Sequence, residues 1–143
     1  MNEIKLIKLS EDYQSDPNIA SPKVKIDRKE LTLSFELNYF IFPFKEGQFG
    51  KIVFNSCYSY RLGKPNDEGF YLDENDLWNK ENFPDLEWNC FYEAQGVPTS
   101  YIGTFEMIDR GENNLPVKLN HYVFFMKEAT FECLAESYKL EIM

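Results

Sequence analysis

An antiparallel β-sandwich or open barrel of about six to eight strands, with at most one or two short helices, is the fold this sequence predicts. Three observations carry that expectation. Leu31, Leu33, Phe35 and Leu37 alternate with Thr32, Ser34, Glu36 and Asn38, the period of two that marks a strand with one dry face and one wet face. Thirteen Phe and nine Tyr suit a pleated, half-buried surface better than a helix. The closing segment from Asn120 to Met143 reads as a core hairpin whose first arm is apolar on both faces, as expected of a central strand.

The elements follow in order. Pro17 and Pro22 flank a polar loop, and Lys23 to Asp27 is short enough for an edge strand. Leu31 to Leu37 is the clearest strand, and beyond it Tyr39-Phe40-Ile41-Phe42 loses the alternation before Pro43. Lys45, Glu46, Gly47 and Gly50 supply a turn, after which Lys51 to Leu62 reads as a strand interrupted at Ser56. Asp73 to Asn82 reads as a short helix or an irregular loop. As a helix it would be capped by Asp73, face Leu77 and Trp78 inward and end before Pro84. Leu86 to Glu93 and Tyr101 to Ile108 read as strands joined through Gln95-Gly96-Val97-Pro98. In the last hairpin Tyr122, Phe124 and Met126 alternate with His121, Val123 and Phe125. The return arm, Thr130 to Ile142, shifts its apolar phase near Ser137, an offset that a β-bulge would absorb.

A chain of 143 residues fits one domain, residues 1–143, able to bury roughly two thirds of its unfolded surface without metals or disulfides. Fifteen basic against 24 acidic residues give a net charge of −9, which disfavours phosphate backbones and anionic membranes; it reads as a solubility charge on an acidic cytosolic protein, the sharper alternative being a basic partner protein steered by the acidic field. Cys57, Cys90 and Cys133 are widely spaced in apolar surroundings. An odd count without CxxC spacing argues against a disulfide framework and against zinc, so the expectation is buried thiols and no cofactor. With no signal-peptide pattern at the start and no apolar run long enough to span a bilayer, the expected location is cytoplasmic.

Few residues offer chemistry. Tyr60 to Tyr71 reads YRLGKPNDEGFY, and its Arg61, Asn66, Asp67 and Glu68 would form a polar cluster at one end of the sheet, binding a ligand or partner, or else a connecting loop stabilised by Asx-turns. His121 is the sole histidine. Its type suits a general base or a metal ligand, but beside Tyr122 on a buried strand, with no second ligand at a useful spacing, it reads as a core polar group in need of a hydrogen-bond partner. Glu132, between Phe131 and Cys133, reads as an outward-facing strand carboxylate, the sharper alternative being a paired carboxylate. Asp73, Glu74, Asp76, Glu81, Asp85 and Glu87 crowd the middle of the chain without the spacing of a calcium loop. They read as a solvated acidic face; the sharper alternative is that, with Tyr71, Trp78 and Phe83 as aromatic anchors, they suit a basic protein surface.

Leu62-Gly63-Lys64-Pro65-Asn66-Asp67-Glu68, taken with His121-Tyr122 and Thr130-Phe131-Glu132-Cys133-Leu134-Ala135-Glu136, resembles segments of a group of small uncharacterised bacterial proteins. The resemblance implies no activity. In that group the segment after the PNDE-like turn carries a histidine where this chain reads Gly69-Phe70-Tyr71-Leu72, which weakens a metal or catalytic reading further.

The expected function is therefore non-enzymatic protein binding in the cytoplasm, an immunity-type protein neutralising a basic toxin being one concrete form. The alternative is a small-ligand-binding β-barrel whose aromatic interior holds an apolar molecule while Arg61 or His121 fixes a polar group. An enzyme ranks third. Contact between the Arg61 to Glu68 turn and His121 or Glu132 would make the two segments one site.

Overall fold

The computed structural model describes residues 4–63, 77–78, 82–108, 118–127 and 129–143. Within them the chain forms β1 (Lys5–Lys8), β2 (Lys23–Asp27), β3 (Glu30–Glu36), β4 (Phe49–Asn55), β5 (Ser59–Leu62), β6 (Phe91–Gln95), the single helical turn α1 (Thr99–Ile102), β7 (Glu106–Met107), β8 (Asn120–Phe125), β9 (Thr130–Ala135) and β10 (Ser137–Ile142). The strands make two antiparallel sheets, one in the order β1-β6-β8-β9-β5-β7 and one in the order β10-β4-β3-β2. The result is the expected β-sandwich. The ten strands among the described residues exceed the expected count because β1 is too brief to leave a period in the sequence and because two expected strands, Lys51 to Leu62 and Thr130 to Ile142, each divide between the sheets.

The alternation in β3 sends Leu31, Leu33 and Phe35 inward, and Ile52 and Phe54 of β4 join them. From the six-stranded sheet Phe91, Tyr122, Phe124, Phe131 and Cys133 meet them in one cluster. Phe35 and Phe124 stack edge to face at 4.8 Å, and Phe54 lies 5.4 to 5.9 Å from Tyr122, Phe131 and Phe91. Rings from both layers thus fill the space between the sheets, each contributing about 1.5–3 kcal/mol by its burial.

A second cluster covers the opposite face of the six-stranded sheet. Val123 and Phe125 of β8, with Tyr92 and Ala94 of β6, lie under Trp78, Leu86 and Cys90. Strand β8 is therefore buried on both faces, as its sequence predicts. Strand β2 lies at an edge, guarded by Lys23 and Lys25.

Three expected strands are corrected. Lys51 to Leu62 is two strands in different sheets, because Ser56 takes a left-handed φ of 51° and turns the chain from one layer to the other. Leu86 to Glu93 becomes a strand only from Phe91, since Asn89, at φ 68°, breaks the extended run. In place of a strand from Tyr101 to Ile108, Pro98 opens α1 and Gly103 closes it, and extended pairing returns only at Glu106. The phase shift near Ser137 is a change of sheet at Glu136, where β9 ends and β10 begins in the other layer. The proposed helix at Asp73 to Asn82 lies largely outside the described residues. No helix among the described residues is long and apolar enough to cross a membrane.

All three cysteines are free and buried. Burial pushes the Cys90 thiol up to about 11. Burial, with the Cys57 thiol beside it, holds Cys133 well above the ordinary thiol range. Since the thiolate is the reactive form and Cys57 is buried from reagent as well, the native protein at neutral pH is expected to leave dithionitrobenzoate unreacted, all three thiols reacting only in denaturant. Rapid release of one equivalent from native protein would contradict this burial.

Candidate functional site

The outer face of the six-stranded sheet carries a chain of polar side chains. Arg61 in β5 stands opposite Glu132 in β9, and His121 in β8 lies diagonally across from Glu132, on the same face. The turn α1 brings Tyr101 over this row. His121 Nε2 lies 2.9 Å from Glu132 Oε1, the Tyr101 hydroxyl donates to Glu132 Oε2, and Arg61 Nη1 donates to the Tyr101 oxygen at 3.1 Å. The Arg61 guanidinium carbon is 5.7 Å from the Tyr101 ring centre. Trp78 and Phe105 stand edge-on to the imidazole at 6.2 and 5.5 Å.

Burial grades along this chain, from exposed Arg61 through half-buried Tyr101 to Glu132 at 1% and His121 at 6% exposure. With Glu132 accepting, the proton in this hydrogen bond belongs on Nε2. Nδ1 is sealed from solvent and has no hydrogen-bond partner among the described residues, a situation that costs about 1–3 kcal/mol. The row Ala94, His121 and Leu134 borders a cleft of about 370 Å³, with Val97 and Ile102 also on its wall. A general base must reach the proton it removes. Here one ring nitrogen is held by Glu132 and the other is closed off, so the arrangement ties β5, β8, β9 and α1 together.

The structure thus joins Arg61, His121, Glu132 and Trp78. Glu132 is corrected from an outward, wetted carboxylate to a buried, paired one, because Trp78 and α1 cover the face it points to. Trp78 is corrected from a surface anchor to a core residue at 1% exposure, the inward orientation anticipated for it. It stands 5.2 Å from Phe83 and 5.7 Å from Phe125. Asn66, Asp67 and Glu68 lie outside the described residues. Tyr101, the link from Arg61 to Glu132, stands in the sequence only as the start of an expected strand. The signal for it is the bracketing of Thr99 to Ile102 by Pro98 and Gly103. Among the described residues no group of three His, Cys, Asp or Glu side chains is placed to hold a metal ion.

Comparison with family models, curated proteins and solved structures finds no match to this chain.

Proposed function

We propose that this chain is a non-enzymatic protein-binding domain that meets a basic partner through its acid-rich middle, an immunity-type protein being the concrete form. The observation that supports it is the filled space between the sheets, where the rings of Phe35, Phe54, Phe91, Phe124 and Phe131 occupy the volume an internal ligand would need. A filled interior leaves recognition to the surface. The sealed imidazole adds support, since it offers no reactive nitrogen to a substrate.

The charge indicates the kind of partner. Between Lys64 and Glu87 the sequence holds eight carboxylates and two lysines, six of the chain's nine net negative charges. Trp78, Leu86 and Phe83 pin the described part of this segment onto the six-stranded sheet, with Asp85 and Glu87 exposed beside them. Acidic groups held on a rigid layer speed and orient docking onto a cationic surface.

The test is affinity capture from the native host at low salt and at about 1 M salt, where the screening length falls to about 3 Å. A basic protein is expected at low salt and lost at high salt. D73N/E74Q/D76N/D85N is expected to reduce its capture about ten-fold or more. Recovery of no basic protein at low salt, or recovery indifferent to both changes, overturns the reading.

A further inference from the structure

The four-stranded sheet ends in β10. Of the four outermost strands, β7 has two residues, β1 four, β2 five and β10 six, so β10 offers the longest edge, with neither proline nor glycine to break it. Its register fixes where its backbone points. The Met143 N–H donates to the Phe49 carbonyl at 2.9 Å, and this pair continues the pairing of Gly50 with Ile142, so Ser137, Lys139 and Glu141 also turn their N–H and C=O groups toward β4. On the far side of β4 the Leu37 N–H donates to the Gln48 carbonyl at 2.9 Å, which gives β4 the same phase. Tyr138, Leu140 and Ile142 therefore turn their main-chain groups away from the sheet, and no described strand or loop takes them up. Their side chains lie on the inner face, opposite Phe54, Ile52 and Gly50. Lys139 and Glu141 stand exposed on the outer face, with no ion pair among the described residues.

We infer that β10 is a self-pairing edge, along which two copies of the chain join antiparallel about a two-fold axis through Leu140. Hydrogen bonding carries the first step. Only residues whose main-chain groups point outward bond across such a contact, and an axis through Leu140 sets Leu140 opposite its copy and Tyr138 opposite Ile142, using every outward N–H and C=O of both strands. Charge carries the second. The same axis sets Lys139 of each copy opposite Glu141 of the other, in the non-hydrogen-bonded pairs where side chains come closest. An axis through Lys139 or Glu141 keeps the hydrogen-bond phase but sets like charges against each other. Opposite charges at both crossings thus select one register, and a second β10 is the strand that fits it. On the inner face Leu140 gains its copy, and Ile142, 42% exposed, gains Tyr138 as cover. One six-residue strand per copy lies at the small end of specific interfaces, so a dimer of micromolar or weaker affinity is expected. This inference is independent of the proposed function.

Sedimentation velocity of the full chain over a range of concentrations tests it. The native chain is expected to dimerise, and K139E and E141K, which set like charges at both crossings, are each expected to raise the dissociation constant about ten-fold or more. E141K lowers the net negative charge, so an association opposed only by general repulsion would tighten with it instead. Both side chains are exposed, and circular dichroism and melting of each variant should stay close to those of the native chain. Mixed in equal amounts, K139E and E141K are expected to pair with each other, because the mixture restores opposite charges at both crossings. The double variant K139E/E141K is expected to dimerise like the native chain. A chain that stays monomeric at the highest attainable concentration overturns the inference and leaves the edge to a strand of another protein. A dimer that either single variant leaves intact, or single variants that fail to pair in the mixture, overturn it too.

Discussion

Phe54→Ala is expected to cost about 3–5 kcal/mol of folding stability, read as a fall in the urea midpoint with the slope unchanged. Phe54 is fully buried in β4, and its ring meets Phe91, Tyr122 and Phe131, one from each of three strands of the facing sheet. Truncation removes the contact through which the four-stranded layer engages β6, β8 and β9 together. These rings sit on separate strands of a hydrogen-bonded sheet, so the cavity cannot close without moving backbone, which places the cost toward the upper part of the range. Phe54→Leu keeps much of the volume and is expected to cost roughly 1–2 kcal/mol. A loss below about 1 kcal/mol for the alanine variant would mean that the sheets are not packed through this ring.

The same shared core explains what the sequence reveals of the fold and what it hides. Leu31 to Leu37 is legible because β3 stays in one layer with one face dry. Lys51 to Leu62 reads as one strand because Ile52, Phe54, Tyr58, Tyr60 and Leu62 keep a single phase of two across a change of layer, β4 and β5 feeding the same core from opposite sides. Only Ser56 marks the crossing, and its left-handed backbone leaves no trace in the residue type. Glu136 hides the second crossing in the same way, appearing only as a phase shift. The turn α1 is invisible to a period of 3.6 because it is about one period long.

The site was half legible for a related reason. Alternation places Glu132 on the face opposite Phe131 and Cys133, which is correct, but alternation cannot tell a wetted outer face from one covered by another part of the chain. The cover comes from Trp78 and α1, distant in sequence from β9. The clue lay across the hairpin, where Val123 stands opposite Glu132 and belongs to an arm apolar on both faces. An outer face carrying Val123 and Phe125 needs a cover, and Glu132 under that cover needs a partner.

Glu132→Ala tests that partnership and is expected to cost about 3–5 kcal/mol. The carboxylate takes hydrogen bonds from His121 and Tyr101 at once, so its loss strands both donors in a site closed to water and leaves a cavity besides. Glu132→Gln is expected to cost less, roughly 1–2 kcal/mol, because the amide can accept from one neighbour while its N–H₂ donates to the other if that neighbour accepts. Tyr101→Phe removes one donor and the acceptor that Arg61 uses, but leaves Glu132 bound to His121, for about 1–2 kcal/mol. The double variant E132A/Y101F is then expected to fall short of the sum by about 1–2 kcal/mol, because removing the hydroxyl also removes the group that Glu132→Ala would orphan. Urea unfolding of all four variants measures the cycle. Strict additivity, or a Glu132→Ala cost below about 1 kcal/mol, would mean that water reaches the carboxylate. Arg61 would then hold Tyr101 as a surface contact, and the four side chains would no longer act as one buried unit.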